Sequence, residues 1–312
     1  MAKLERWGKR YEDTRNWPEY NEQLVRRGTL YLSLEFVEQW DKLVSQENAG
    51  KRGHPFIYPG LFIHWMACIH SIFQMPYRQM EGFTTALSRM LPGLQSADYT
   101  TLFRRIQQMP LAFPAASAEG EEIVVAVDSS GIKVTNRGEW MREMWSIHRG
   151  WIKAHIIVDV KSKQLLGIEI SNEQVGDGEV FPILLDQAHS AVRTGSIKAV
   201  LADGAYDQKD IFNRLEKDRI GSGIKIRDNA SSKSGGSPYR AECAREKMKL
   251  GYRSWANLKN YGKRWAVEGV FSSVKRAFGE TVRASSVEGM TREVVMKFLF
   301  YQMIVNYGKG SV

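Results

Sequence analysis

YGKRWAVEGVFSSVKRAF, residues 261–278, places Tyr261, Arg264, Glu268 and Lys275 with two, three and six residues between them. On a helix turning about 100° per residue, these intervals bring all four side chains within an arc of roughly 60°. Ala266, Val270, Val274 and Ala277 fall on the opposite side, flanked by Val267, Phe271 and Phe278, so an apolar stripe is segregated from a polar one. One carboxylate is thereby held between two cations beside an aromatic ring. That set suits a phosphodiester, with the carboxylate holding a divalent metal and the cations gripping phosphates. It equally suits a solvated helix in which Arg264 and Glu268 pair at i,i+4.

Two further acids stand after short apolar runs rich in β-branched residues. IVVAV (123–127) leads into Asp128-Ser129-Ser130-Gly131, and IKAVLA (197–202) leads into Asp203-Gly204-Ala205-Tyr206-Asp207. Each run reads as a buried strand of a mixed sheet covered by helices, ending in an aspartate. An Asp after a strand is commonly a turn former or a helix cap. Asp207 is read as such a cap, because Asp207-Gln208-Lys209-Asp210 opens the periodic segment IFNRLEK. Asp128 and Asp203 open no comparable helix and are read as site residues, where the tips of central strands converge. Asp159 and His155 share another strand. Asp159 ranks below Asp203 for want of a following glycine turn, and His155 reads as a hydrogen-bonded core residue.

The expected organisation is a helical N-terminal domain over residues 1–110, a linker over 111–120 and an α/β domain over 121–312. Pro59–Phe73, Tyr77–Leu91 and Tyr99–Met109 read as helices separated by Pro76 and by Pro92-Gly93. With Thr100, Thr101, Arg104 and Arg105 near the start of the third, the last two suit a helix-turn-helix on duplex DNA, or a bundle or dimer contact. Ile123–Val127 joined to Ile132–Val134, then Ala154–Val160, Leu165–Ser171, a strand from Ile197 and Gly223–Ile226 make five strands. Helices are expected near Phe181–Val192 and Gln208–Asp218, and SSKSGGSP (231–238) reads as a loop.

Composition excludes several classes. The chain has 312 residues, 43% hydrophobic and 25% charged, enough for two domains with a substantial core. Its most apolar stretch, Gly60 to Phe73, is too short to span a membrane and contains His64, Cys68 and His70, and the N-terminus lacks an apolar signal region. Two distant cysteines make no disulfide framework and no Cys-x2-Cys zinc site, so a reducing cytoplasm is the expected location. The formal charge of +9 is concentrated: from Arg240 to Lys309 there are 14 Lys and Arg against six Glu and no Asp. These cations surround Glu268 and predict non-specific attraction to DNA. Neither a Gly-x4-Gly-Lys phosphate loop nor Gly-x-Gly-x2-Gly occurs, which disfavours nucleotide-driven enzymes. No His-x-His pair occurs either, which disfavours nickases that use a covalent nucleophile.

Taken in order, these residues resemble the DDE transposases of bacterial and archaeal insertion sequences. Asp128 resembles the first acid, Asp203 the second and Glu268 the third, and Tyr261, Arg264, Glu268 and Lys275 match the family's Tyr-x2-Arg-x3-Glu-x6-Lys signature. RRGTLYLSLEFVEQW, RGHPFIYPGLFIHWMACIHSIFQMPYRQMEGF and DYTTLFRRI are similar to the group typified by insertion sequence five. The interval between the second Asp and Glu268 is too short for the large β insertion of some relatives, so functions of that insertion are not carried over. The resemblance implies an RNase H-like mixed five-stranded sheet flanked by helices, preceded by an all-helical N-terminal domain. It implies catalytic, metal-holding roles for Asp128, Asp203 and Glu268 with two Mg²⁺ ions, for which Mn²⁺ substitutes. Phosphate or DNA contacts are implied for Tyr261, Lys263, Arg264, Lys275 and Arg276, with Arg104 and Arg105 added if the N-terminal helices read DNA. The implied reaction is metal-dependent cleavage at the element's terminal repeats and joining of 3′ ends to target DNA, within a homodimer. A nuclease on the same fold and an idle DNA-binding descendant are the alternatives.

Overall fold

The computed structural model describes residues 5–6, 9–10, 16–113, 122–135, 150–192 and 195–310. Most of the expected linker, residues 114–120, lies outside them, as does most of the leading segment before residue 16. Apart from a short antiparallel ladder of Glu5–Arg6 with Lys9–Arg10, the strands are β1 (Glu122–Val134), β2 (Trp151–Asp159), β3 (Leu165–Asn172), β4 (Ser196–Ala202), β5 (Gly221–Ile224) and β6 (Thr281–Val282). They form one mixed sheet in the order β3-β2-β1-β4-β5, with β6 paired to the far end of β1. The first three strands are antiparallel and β1, β4 and β5 run parallel. This is the RNase H-like plan with a sixth strand beyond the five expected. Two residues between Glu280 and Arg283 carry too little pattern to be read as a strand, and only their ladder with Lys133 and Val134 makes them one.

The two extended pieces at 123–127 and 132–134 are a single strand of 13 residues. Its outer edge changes partner along its length. Residues 122–126 pair with β4 and residues 133–134 with β6. Between them, among the described residues, positions 127–132 have no strand on that side, although β2 continues on the other.

Helices cover both faces. They are α1 (Trp17–Thr29), α2 (Glu35–Glu38), α3 (Trp40–Asn48), α4 (Gly60–Phe73), α5 (Tyr77–Met90), α6 (Tyr99–Gln108), α7 (Asp177–Ala191), α8 (Lys209–Lys217), α9 (Pro238–Leu258), α10 (Trp265–Phe278) and α11 (Val287–Lys309). Strand side chains alternate between faces. Val125 and Val127 join α7 and α8 residues in one core, while Ala126 and Ile132 join α10 and α11 in the other. The second core does not stop at the α/β part. It runs on through Phe36, Trp40, Phe62, Trp65 and Met80, so the N-terminal helices and the α10 face of the sheet share one apolar interior. Polar ties reinforce it: Arg292 of α11 donates to the carbonyls of Ile106 and Met109, and Gln74 donates to Phe278 O at 3.3 Å. Among the described residues no helix is long and apolar enough to cross a membrane.

The apolar stripe of α10 differs in one position from expectation. Val267, Val270, Phe271, Val274 and Phe278 are buried, with Ala266 at their edge, but Ala277 faces solvent. Phe298 of α11 braces this stripe from behind, its ring edge-on to Phe271 at 5.8 Å. Phe298 is 1% exposed, so Phe298→Ala is expected to cost about 3–5 kcal/mol by loss of burial and cavity formation, read as a lower midpoint in urea denaturation.

Candidate active site

The ladder between β1 and β4 ends at Ala126 opposite Leu201, and Asp128 and Asp203 each lie two residues beyond that pair. Parallel neighbours lie about 4.8 Å apart, so the two aspartates stand side by side just past the point where the β1–β4 pairing ends. Both share the parity of Ala126 and Leu201, and thus the face that α10 covers. Asp128 is not at a strand end, as the sequence suggested, but in mid-strand where the outer edge of β1 lies open. Asp203 does stand just past its strand. Its carboxylate accepts from Ala205 N at 2.8 Å and caps the short 3₁₀ turn Gly204–Tyr206.

Glu268 comes from the first turn of α10. The expected single helix through 261–278 is corrected here: Tyr261–Arg264 form a 3₁₀ turn and the α-helix begins at Trp265. Buried Trp255 holds the Tyr261 ring at 5.1 Å, and Asn260 adopts a left-handed φ of 50°, so the chain reverses out of α9 and enters α10 tightly. The four signature residues are divided between two adjacent cavities, Tyr261 and Arg264 lining one and Glu268 and Lys275 the other. Arg264 donates to Asp128 Oδ2 at 2.9 Å and also to Glu268 Oε1. Lys275 donates to Ser130 Oγ at 2.8 Å, and the Arg264 guanidinium lies 5.8 Å from the centre of the Tyr261 ring. Burial, with the charges of Asp203 and Glu268 adding, pushes the Asp128 carboxyl above its usual range; the Ser129 N–H and Arg264 oppose this.

Arg264 stands between two cavities. One, of about 530 Å³, is lined by Asp128, Ser130, Glu268, Lys275, Arg276 and Glu280. The other, of about 710 Å³, is lined by Asp203, Lys225, Arg227, Tyr252, Tyr261 and Trp265 together with Arg264. Lys263 and Arg276 are exposed near them. Arg104 is exposed on α6, but Arg105 is engaged within the helical region: it lies over the Phe56 ring at 4.0 Å and donates to Tyr58 O at 3.2 Å. Part of the basic run is similarly occupied. Lys247 pairs with Asp228 and Lys259 with Glu246, while Lys297 is buried against carbonyl oxygens of residues 279 and 281.

Asp207 is not the helix cap expected. Gln208 precedes α8, and the Asp207 side chain is fully buried. It accepts from Arg240 Nε at 2.6 Å and from a second guanidinium nitrogen at 3.0 Å, and also from Arg227 N at 3.0 Å. This pair ties the Asp203 loop to α9. A periodic segment beginning at Ile211 looked the same whether Asp207 capped it or not, and only Arg240, 33 residues away, reveals its task. Asp159 is held in the turn after β2 by Lys161 N, Ser162 N and Ser162 Oγ, opposite Val125 and remote from Asp128 in the ladder. His155 is buried on the α7 face, bonded to Ser171 Oγ at 2.7 Å, with Nδ1 at 3.5 Å from Asp177. Asp177 also accepts from Ser129, the neighbour of Asp128.

This strand order, three antiparallel strands followed by two parallel ones with helices on both faces, defines the RNase H-like class of folds. The chain matches the family model described as "Transposase DDE domain" over residues 119–303, and a second model of the same description over 25–137. It belongs to the transposase DDE domain family. It is also similar to a piggyBac transposase synaptic complex with hairpin DNA, at 10% identity over 93% of this chain and 76% of that one, TM-score 0.38. The Drosophila P element transposase strand transfer complex matches at 11% identity over 85% and 69%, TM-score 0.35, and the Mos1 strand transfer complex at 10% over 86% and 82%, TM-score 0.31. Proteins of this family generally use divalent metal ions. Among the described residues no three Asp, Glu, His or Cys side chains form a group that could hold one. The donors present are nonetheless carboxylate oxygens, which suit hard cations, and two of them already share a cation, the Arg264 guanidinium.

Breaking the buried Asp207–Arg240 pair leaves a charge without its partner, so Arg240→Ala should cost about 3–5 kcal/mol in denaturant titration. Burial depresses the His155 imidazole to about 4, so on acidification the unfolded chain takes up this proton first and folding weakens. Stability should fall by about 2 kcal/mol between pH 7 and pH 5 from this group, and His155→Gln should flatten that part of the profile.

Proposed function

We propose that this transposase cleaves the ends of an insertion sequence and joins the freed 3′ ends to target DNA, with Asp128, Asp203 and Glu268 as its catalytic acids. The observation that carries the reading is the shared guanidinium: Arg264 draws Asp128 and Glu268 into one cleft, and Asp203 leaves the sheet beside them. The three acids would hold a pair of Mg²⁺ or Mn²⁺ ions, which when bound would supply positive charge to the phosphoryl oxygens and acidify the attacking hydroxyl. The chain itself contributes placement. Lys275, fixed on Ser130, and Arg276 present cations along one cavity, where a phosphate of the element end would lie. Arg264 and Lys263 would contact the phosphates on either side of the scissile bond, and Tyr261 would pack on the adjoining sugar. No protein nucleophile takes part, because a water and then a 3′-hydroxyl attack in turn and the departing 3′ oxygen takes the bond electrons.

The helical region over residues 1–110 would bind duplex DNA through Arg104 on α6, or dimerise; Arg105 serves its packing. The catalytic unit over 121–312 would act as one half of a homodimer, since two ends must be joined. Asp128→Ala, Asp203→Ala and Glu268→Ala are each expected to lower cleavage of labelled element ends at least about 1000-fold while gel-shift affinity stays within a few-fold. Retained metal-dependent cleavage by Glu268→Ala protein would remove the third acid from the scheme. Lys275→Ala should weaken binding across sequences and lower the salt slope by about one.

A further inference from the structure

We infer that Arg264 is an internal counter-ion that a DNA phosphate must draw away before Asp128 and Glu268 can take up a divalent ion, so that DNA enters the site ahead of the metal. This rests on the metal-holding role proposed for the three acids, and adds an order of assembly to it.

Both oxygens of Asp128 are occupied: Oδ1 accepts from Ser129 N at 2.8 Å and Oδ2 from Arg264 at 2.9 Å. Glu268 Oε1 accepts from the other terminal nitrogen of the same guanidinium. The Arg264 side chain is only 15% exposed, less than either carboxylate it bridges. A divalent ion approaching these oxygens therefore meets a fixed positive charge and must break two charge-assisted hydrogen bonds. A phosphate is the natural competitor for the guanidinium, because it offers the same paired oxygens as a carboxylate. A place for one adjoins: Arg264 also lines the cavity on the Asp203 side, together with Lys225 and Arg227. Swinging toward that cavity would move the guanidinium off both acids while keeping it bonded. Lys275 is tied to a serine hydroxyl and not to an acid, so it can receive a phosphate without uncovering any ligand.

The test is direct metal binding. Mn²⁺ is titrated, with free ion read by electron paramagnetic resonance, into the full chain alone and into the chain bound to a duplex oligonucleotide. The same duplex bound to Asp128→Asn protein gives the reference for ions held by DNA itself. Charge-assisted hydrogen bonds of this kind correspond to roughly ten- to a hundredfold in affinity. The wild-type chain should gain about that factor when DNA is bound, and Arg264→Gln should bind Mn²⁺ about as much more tightly without DNA. Equal Mn²⁺ affinity with and without DNA overturns the inference and leaves the proposed reaction standing. So does an Arg264→Gln protein that melts like wild type and shows no gain. Should that variant not fold, the wild-type comparison decides alone. If Asp128→Asn alters Mn²⁺ binding under neither condition, the acids hold no ion and the proposed function falls with the inference.

Discussion

Two carboxylates, Asp128 and Glu268, are held against one guanidinium on the α10 face of the sheet, and the architecture around them is organised to place that charge. Two like charges at roughly 5 Å with an effective dielectric of about 20 repel by about 3 kcal/mol. Burial raises the Asp128 carboxyl above its ordinary range, and the charges of Asp203 and Glu268 add a smaller push in the same direction. Arg264 supplies the opposing charge, and it can do so because the Tyr261–Arg264 turn is wound more tightly than a helix and pinned to Trp255. An ordinary continuation of α10 would have carried the guanidinium along the polar face of the helix. The 3₁₀ turn instead delivers it between Glu268 and Asp128, the latter 136 residues away along the chain from Arg264.

The acids reach this spot by two different routes. Asp128 and Asp203 are set by backbone hydrogen bonding, since each follows the last β1–β4 pair by two residues. Asp203 is further fixed by its own 3₁₀ turn and by the Asp207–Arg240 pair just behind it. Glu268 is set by the packing of its helix and by the hydrogen bond it accepts from Arg264. Its helix lies on the sheet through Val267, Val270 and Phe271, and that packing continues into α11 and the N-terminal helices.

Much of this was legible in the sequence, and the reasons are specific. The β1 and β4 runs are short, apolar and β-branched, and α4 to α6 are bracketed by proline and glycine, so their type and approximate limits follow from local rules. The signature spacing around Glu268 likewise betrays a polar face opposite an apolar one. What escaped was non-local. β6 is two residues long and exists only through its pairing with β1. The role of Asp207 depends on Arg240, and the engagement of Arg105 depends on Phe56 and Tyr58. The break at Trp265 accompanies the contact of the Tyr261 and Trp255 rings, which no local pattern announces. Charge counting showed where the cations cluster but not that Lys247, Lys259 and Lys297 answer to partners within the chain.

The shared interior of the helical region and α10 has an evolutionary corollary. Two of the acids are locked to each other by ladder register, which admits whole-residue steps and nothing finer. The remaining one, Glu268, rides on a helix that packs on Phe298 and shares its apolar interior with bulky residues such as Phe62 and Trp65, none of them near the three acids in sequence. Sequence drift in that seat can tilt α10 by fractions of an ångström. Divergent descendants thus have a means of retuning the spacing of Glu268 from Asp128 and Asp203 while all three side chains stay untouched.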